Sequence, residues 1–104
     1  MIHNDWITMI LGGGKDSNNN PLPTTDVPAR ATVIPVRSSE SVKAGQAPLT
    51  LFYRLVIGPR DGAQLTPTSG IRWMGRTLQV QGDVEPWVVK GRISHYEATL
   101  KSPG

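Results

Sequence analysis

The sequence contains no cysteine, which removes disulfides, thiolate-bound zinc and cysteine nucleophiles at once and makes a reducing compartment the expectation. Histidine is nearly as scarce. His3 and His95 are far apart and neither has a second ligand at a usual metal spacing, so no metal, cofactor or catalytic role is expected of them. Long apolar runs are missing too: none approaches the roughly 20 residues that span a bilayer, and Asp5 interrupts the first apolar stretch where a signal peptide would carry positive charge. No membrane partner or export by that route is expected. The carboxylates do not pair for acid–base work, since Asp83 and Glu85, set between Gly82 and Pro86, read as turn chemistry. Ser38, Ser39 and Ser41 have no base nearby. An enzyme is therefore not expected.

A sustained helical repeat is also absent, while nine prolines and eleven glycines are scattered along 104 residues. That combination predicts one all-β domain over 1–104, with loops at about 12–26 and 38–48. A chain of this length buries roughly two-thirds of its unfolded surface, enough for one modest core. The formal charge is +3. One of the basic residues and three of the acidic ones precede Arg30, so the basic excess belongs to the later part. With no block of consecutive Lys or Arg, these spaced cations read first as a solvated sheet face.

Alternation of apolar and polar residues marks the strands. Asp5 to Leu11 forms the first, closed by Gly12-Gly13-Gly14. Lys15 follows these glycines, but Asp16 stands where a phosphate loop needs Ser or Thr. Lys15 to Pro21, with Asn18, Asn19 and Asn20, reads as a polar turn. Val27 to Arg37 places Val27, Ala29, Ala31 and Val33 on one face and Arg30 and Thr32 on the other. Pro28 and Pro35 mark it as an edge or interrupted strand. Ser38 to Ala47, small and polar, predicts a loop. Leu49 to Ile57 is the central core strand, with Leu49, Leu51, Tyr53, Leu55 and Ile57 inward. Phe52, Arg54 and Val56 form an opposite face apolar enough to pack on a neighbour. Gly58 to Gly62 and Thr66 to Gly70 are turns by composition.

The last third reads as a three-strand meander. Ile71 and Trp73 precede a Met74-Gly75 turn, Leu78 and Val80 follow it, and Tyr96, Ala98 and Leu100 alternate with Glu97, Thr99 and Lys101. Gly75 takes positive φ without steric cost at such a return, with Arg72 and Arg76 on its wet side. Gly82-Asp83 is expected to end the second strand. Trp87 then lies in a crossover past Pro86 and caps one end of the barrel. Leu51, Leu55, Ile57, Trp73, Leu78, Val80 and Leu100 are expected to share one core.

Trp73, Gly75, Arg76, Val80, Gly82, Pro86, Trp87, Gly91, Arg92 and Glu97 together resemble the head-to-tail stopper proteins of long-tailed phages, above all those infecting actinobacteria. Asp16 to Pro21 and Pro35 to Glu40 extend the similarity upstream. The resemblance implies a small SH3-like β-barrel that forms a ring, six-fold in the virion neck, after synthesis in the host cytoplasm. It implies a head–tail adaptor or portal above, a tail terminator or tail tube protein below, and non-specific contact with phage double-stranded DNA in the channel. The channel loop is expected at Ser38, Ser39, Glu40, Ser41, Lys43 and Gln46, with Lys15, Asp16, Asn18, Asn19 and Asn20 as the alternative. Arg30, Phe52, Arg54 and Val56 are the expected subunit interface; Leu51, Leu55, Trp73, Gly75, Val80, Gly82 and Trp87 are the expected barrel core and turns. The alternatives are a neighbouring tail-completion or connector protein, or a small SH3- or OB-like nucleic-acid-binding module, suggested by the basic balance and the tryptophans.

Overall fold

The computed structural model describes residues 5–36 and 51–102. Six strands, β1 (Asp5–Gly12), β2 (Thr24–Val36), β3 (Phe52–Ile57), β4 (Gly70–Trp73), β5 (Arg76–Val89) and β6 (Arg92–Lys101), close into an antiparallel barrel in the order β1-β2-β3-β6-β5-β4. One helical turn, α1 (Pro59–Gly62), lies between β3 and β4. The expected all-β barrel and the β4-β5-β6 meander are both present.

The period-2 pattern decides which residues face inward. Ile7 and Met9 from β1, Ala29, Ala31 and Val33 from β2, Tyr53, Leu55 and Ile57 from β3, and Ile71, Leu78, Val80, Ala98 and Leu100 from the meander fill a single core. Trp73, Val84 and Tyr96 pack against it while half-buried. Trp73 meets Tyr53 edge to face at 5.6 Å, a geometry that sets the electropositive ring edge against an electron-rich face. Arg76 Nη1 donates to the Tyr53 hydroxyl at 3.0 Å, so this arginine is tied to the barrel, whereas the sequence suggested a purely solvated role. Leu65, in the β3–β4 connection, adds an apolar residue that alternation could not reveal. Beside it, Ser69 is fully buried, and its Oγ accepts from the Thr66 amide at 2.9 Å.

β2 resolves the proline question. Its first part, up to Ala31, pairs with β1, and from Ala31 onward it pairs with β3. Pro28 therefore lies where β1 is the only ladder partner and Pro35 where β3 is, so each missing N–H falls on a strand half flanked on one side. The interruption is a change of partner within one long strand, and that strand begins at Thr24, inside the expected loop.

Several glycines mark where the chain turns hard. Gly12 has φ +83°, and a Cβ there would lie 2.9 Å from the Pro23 carbonyl oxygen. Gly62 has no room either, because its Cβ would meet the Tyr96 ring at 2.5 Å; α1 sits directly on β6 through this glycine. Met74-Gly75 and Lys90-Gly91 are two-residue returns with positive φ at both positions, the backbone that follows the twist of adjoining antiparallel strands.

Three sequence expectations are corrected. β5 does not end at Gly82-Asp83: it runs on to Val89, and Gly82, at φ +77°, sits in a register shift between Gln81 and Glu85. A bulge there re-aims the strand without ending it. Trp87 is consequently a strand residue, paired with His95 and 46% exposed, and the tryptophan packed against the core is Trp73. Leu51 lies just before β3 and is 49% exposed: its carbonyl accepts from the Ser102 amide at 2.8 Å, but it stands at the end of the ladder, and alternation gives a side chain's phase without saying how far the core extends.

Candidate functional site

Past the barrel, β5 and β6 continue alone. β4 leaves β5 after Gln79, and β3 leaves β6 at Tyr96, so Glu85 to Val89 and Arg92 to His95 form a two-stranded arm closed by Lys90-Gly91. The arm carries exposed apolar side chains, Trp87, Val88, Val89 and Ile93. It has no core of its own to receive them.

At its root the arm is tied to the barrel by a polar brace. Residues two apart on a strand share a face, so His95, Glu97 and Thr99 line up along the outside of β6, opposite Arg54 and Val56 of β3. Arg54 Nε donates to Glu97 Oε1 at 2.9 Å, and Arg54 Nη1 lies 3.4 Å from Thr99 Oγ1. His95 Nε2 is 2.9 Å from Glu97 Oε2, and its Nδ1 is 3.2 Å from Ser94 Oγ. Trp87 stacks on the imidazole, with ring centroids 5.7 Å apart and planes 12° from parallel. The cluster also relieves a conflict: Glu85 and Glu97 are directly opposed across the β5–β6 ladder, an arrangement that destabilises a sheet unless cations offset it.

The His95 hydrogen bond, helped by Arg54 and opposed by burial, holds the Glu97 carboxyl below the usual carboxylate range. A depressed carboxylate stabilises the fold at pH values above its unfolded pKa, and the contribution disappears as pH falls through the lower folded pKa. Glu97→Gln is therefore expected to lower the thermal midpoint at neutral pH, with the gap to the parent closing in acid below the usual range. A gap that stays constant from neutral pH into that acid range would show that the ionised carboxylate contributes nothing.

The expected site residues fall in different places. Ser38, Ser39, Glu40, Ser41, Lys43 and Gln46 lie outside the described residues. The alternative loop is a self-bonded hairpin tip: Lys15 bridges to Pro21, Asp16 Oδ1 accepts from the amides of Asn18 and Asn20, and Asn19 adopts φ +64°. Leu55 and Val80 are core, and Gly75 is in its turn. The proposed interface residues are divided. Val56 is 4% exposed within the single chain, leaving it almost no surface for a neighbour, and Arg54 is engaged in the brace. Phe52 is half-buried. Arg30 lies 4.7 Å over the ring of Trp6, on the outer face of β1 and β2.

Sequence reasoning missed the brace. Metal-ligand spacings do not reveal it, whereas the period of two that marks β6 already puts Glu97 on the same face as His95. Among the described residues no group of three or more His, Cys, Asp or Glu could hold a metal ion, and no helix is long and apolar enough to cross a membrane. Compared with the models of known protein families the chain matches none, and no curated protein matches it either.

Proposed function

We propose that this chain is a structural protein of the phage neck, of the head-to-tail stopper kind, which joins capsid to tail and retains packaged DNA until ejection. The observation that carries the reading is the β5–β6 arm. A closed barrel that extends an exposed apolar ribbon, held at its root by the Arg54–Glu97 ion pair and the His95–Glu97 hydrogen bond, suits a protein whose work is to connect others. The residues behind the resemblance support it as a set: Gly75, Gly82 and Gly91 take positive φ at the turns and bulge that shape the meander, and Trp73 and Val80 pack within or against its core. Trp87 and Glu97 belong to the arm and its brace.

In this reading the partners are further copies in a ring, an adaptor or portal above, a tail terminator or tail tube protein below, and double-stranded DNA held without sequence preference. Of the two loops considered for the channel, the 15–21 hairpin is bonded to itself through Asp16, poor chemistry for a plug that must withdraw. The assignment to 38–47 rests on its sequence alone.

One observation favours a second reading. Trp6, 65% exposed with Arg30 over its ring, is the kind of pair on which a base can stack. Trp73 and Trp87, by contrast, are engaged with Tyr53 and His95. Two measurements separate the readings. Labelled chain should be found between capsid and tail in electron micrographs of particles. The free chain should show weak affinity for short DNA, whereas tight binding that falls steeply with salt, together with absence from particles, identifies a nucleic-acid module.

A further inference from the structure

We infer that the tip of the arm docks on a different protein, at an apolar face rimmed by acidic residues. The inference rests on the neck reading and adds the partner's chemistry. Trp87, Val88, Val89 and Ile93 are all substantially exposed on a ribbon that has no core, and a two-stranded ribbon with bare apolar side chains gains little in water until something covers them.

Charge narrows the occupant. Between Pro86 and His95 the formally charged residues are Lys90 and Arg92, both basic and both at the return. The acidic excess of a second copy lies before Arg30, and there Asp5, Asp16 and Asp26 are already engaged by the Val33 amide, the amides of Asn18 and Asn20, and Arg72, so complementarity favours an acidic surface belonging to another protein. Along β5, Pro86 leaves a gap in any ladder a partner strand could add, so on that edge recognition falls to the exposed side chains. The brace gives the arm its readiness. His95, Glu97 and Arg54 hold its root, and the Trp87 stack continues that order outward, so less motion is lost on docking.

The test uses particles assembled with the full chain carrying a photo-reactive benzophenone amino acid in place of Val88. Irradiation is expected to join this position to a second neck protein of acidic sequence. The paired charge reversal Lys90→Glu and Arg92→Glu should reduce the joined product about tenfold or more, as loss of complementary charge does at steered interfaces, with the barrel's thermal midpoint unchanged. A control probe at Thr68, on the β3–β4 connection, reports presence in the particle independently of the arm. Product at Thr68 with none at Val88 overturns the inference and leaves the neck reading standing. Product at Val88 solely with another copy of the chain, with DNA or with lipid overturns it as well. Absence of the chain from particles overturns both.

Discussion

Leu55→Ala is expected to destabilise the isolated chain by about 2–5 kcal/mol, the span found when a buried leucine is cut back and the surrounding structure cannot fully close the gap. Leu55 is completely buried at the centre of β3, paired with Val33 on one side and Ala98 on the other. Small residues crowd this part of the barrel, with Ala29, Ala31 and Ala98 all inward, so few long side chains can swing in to fill the void. A domain of this size is stable by about 5–15 kcal/mol in all, and each kcal/mol moves the midpoint by about 4–8 °C. Thermal and urea unfolding should show a large drop for Leu55→Ala and small ones for Leu51→Ala and Trp87→Ala, whose side chains are about half exposed. Equal drops for Leu51→Ala and Leu55→Ala would mean that the inward face has been misread.

The contrast between Leu51 and Leu55 also shows how much of the fold alternation can carry. A period of two identifies a strand and its two faces, and it placed Leu55, Ile57, Trp73, Leu78, Val80 and Leu100 in or against one core. It says nothing about how far the ladder runs. Leu51 keeps the phase of Tyr53 but precedes the paired segment of β3. Gly82 and Pro86 look like strand breakers in one dimension, yet a bulge and a free edge accommodate them. From that one misreading followed the loss of the arm and the placement of Trp87 at a barrel end.

The brace was hidden for a different reason. Arg54 is 43 residues from Glu97 along the chain, and their meeting depends on β3 pairing with β6, a neighbour relation that no local pattern encodes. The β4-β5-β6 meander was legible; the β3–β6 and β1–β4 pairings that close the barrel were not. The brace and the arm therefore sit where non-adjacent segments meet or where the sheet outruns its neighbours, while the locally legible turns mainly shape the barrel.

Removing the arm is expected to separate folding from joining. Pro86 and Tyr96 face each other across the β5–β6 ladder, so replacing Trp87–His95 with Asn-Gly, together with Pro86→Thr to restore the N–H that closes a two-residue return, creates the arrangement Lys90-Gly91 already makes between Val89 and Arg92. The barrel core loses nothing by this change, because the deleted residues are outside it. Glu97 keeps Arg54 and loses His95, a change worth on the order of 1 kcal/mol for one partly exposed hydrogen bond. The shortened chain should unfold cooperatively at a midpoint within several degrees of the parent. In particles, on the neck reading, it should leave filled heads and finished tails unjoined, since the apolar ribbon that makes the connection is gone. Heads and tails joined as efficiently as with the parent would show that connection runs through the barrel wall, and attention would shift to the exposed Ile34 and Val36 at the far end of β2.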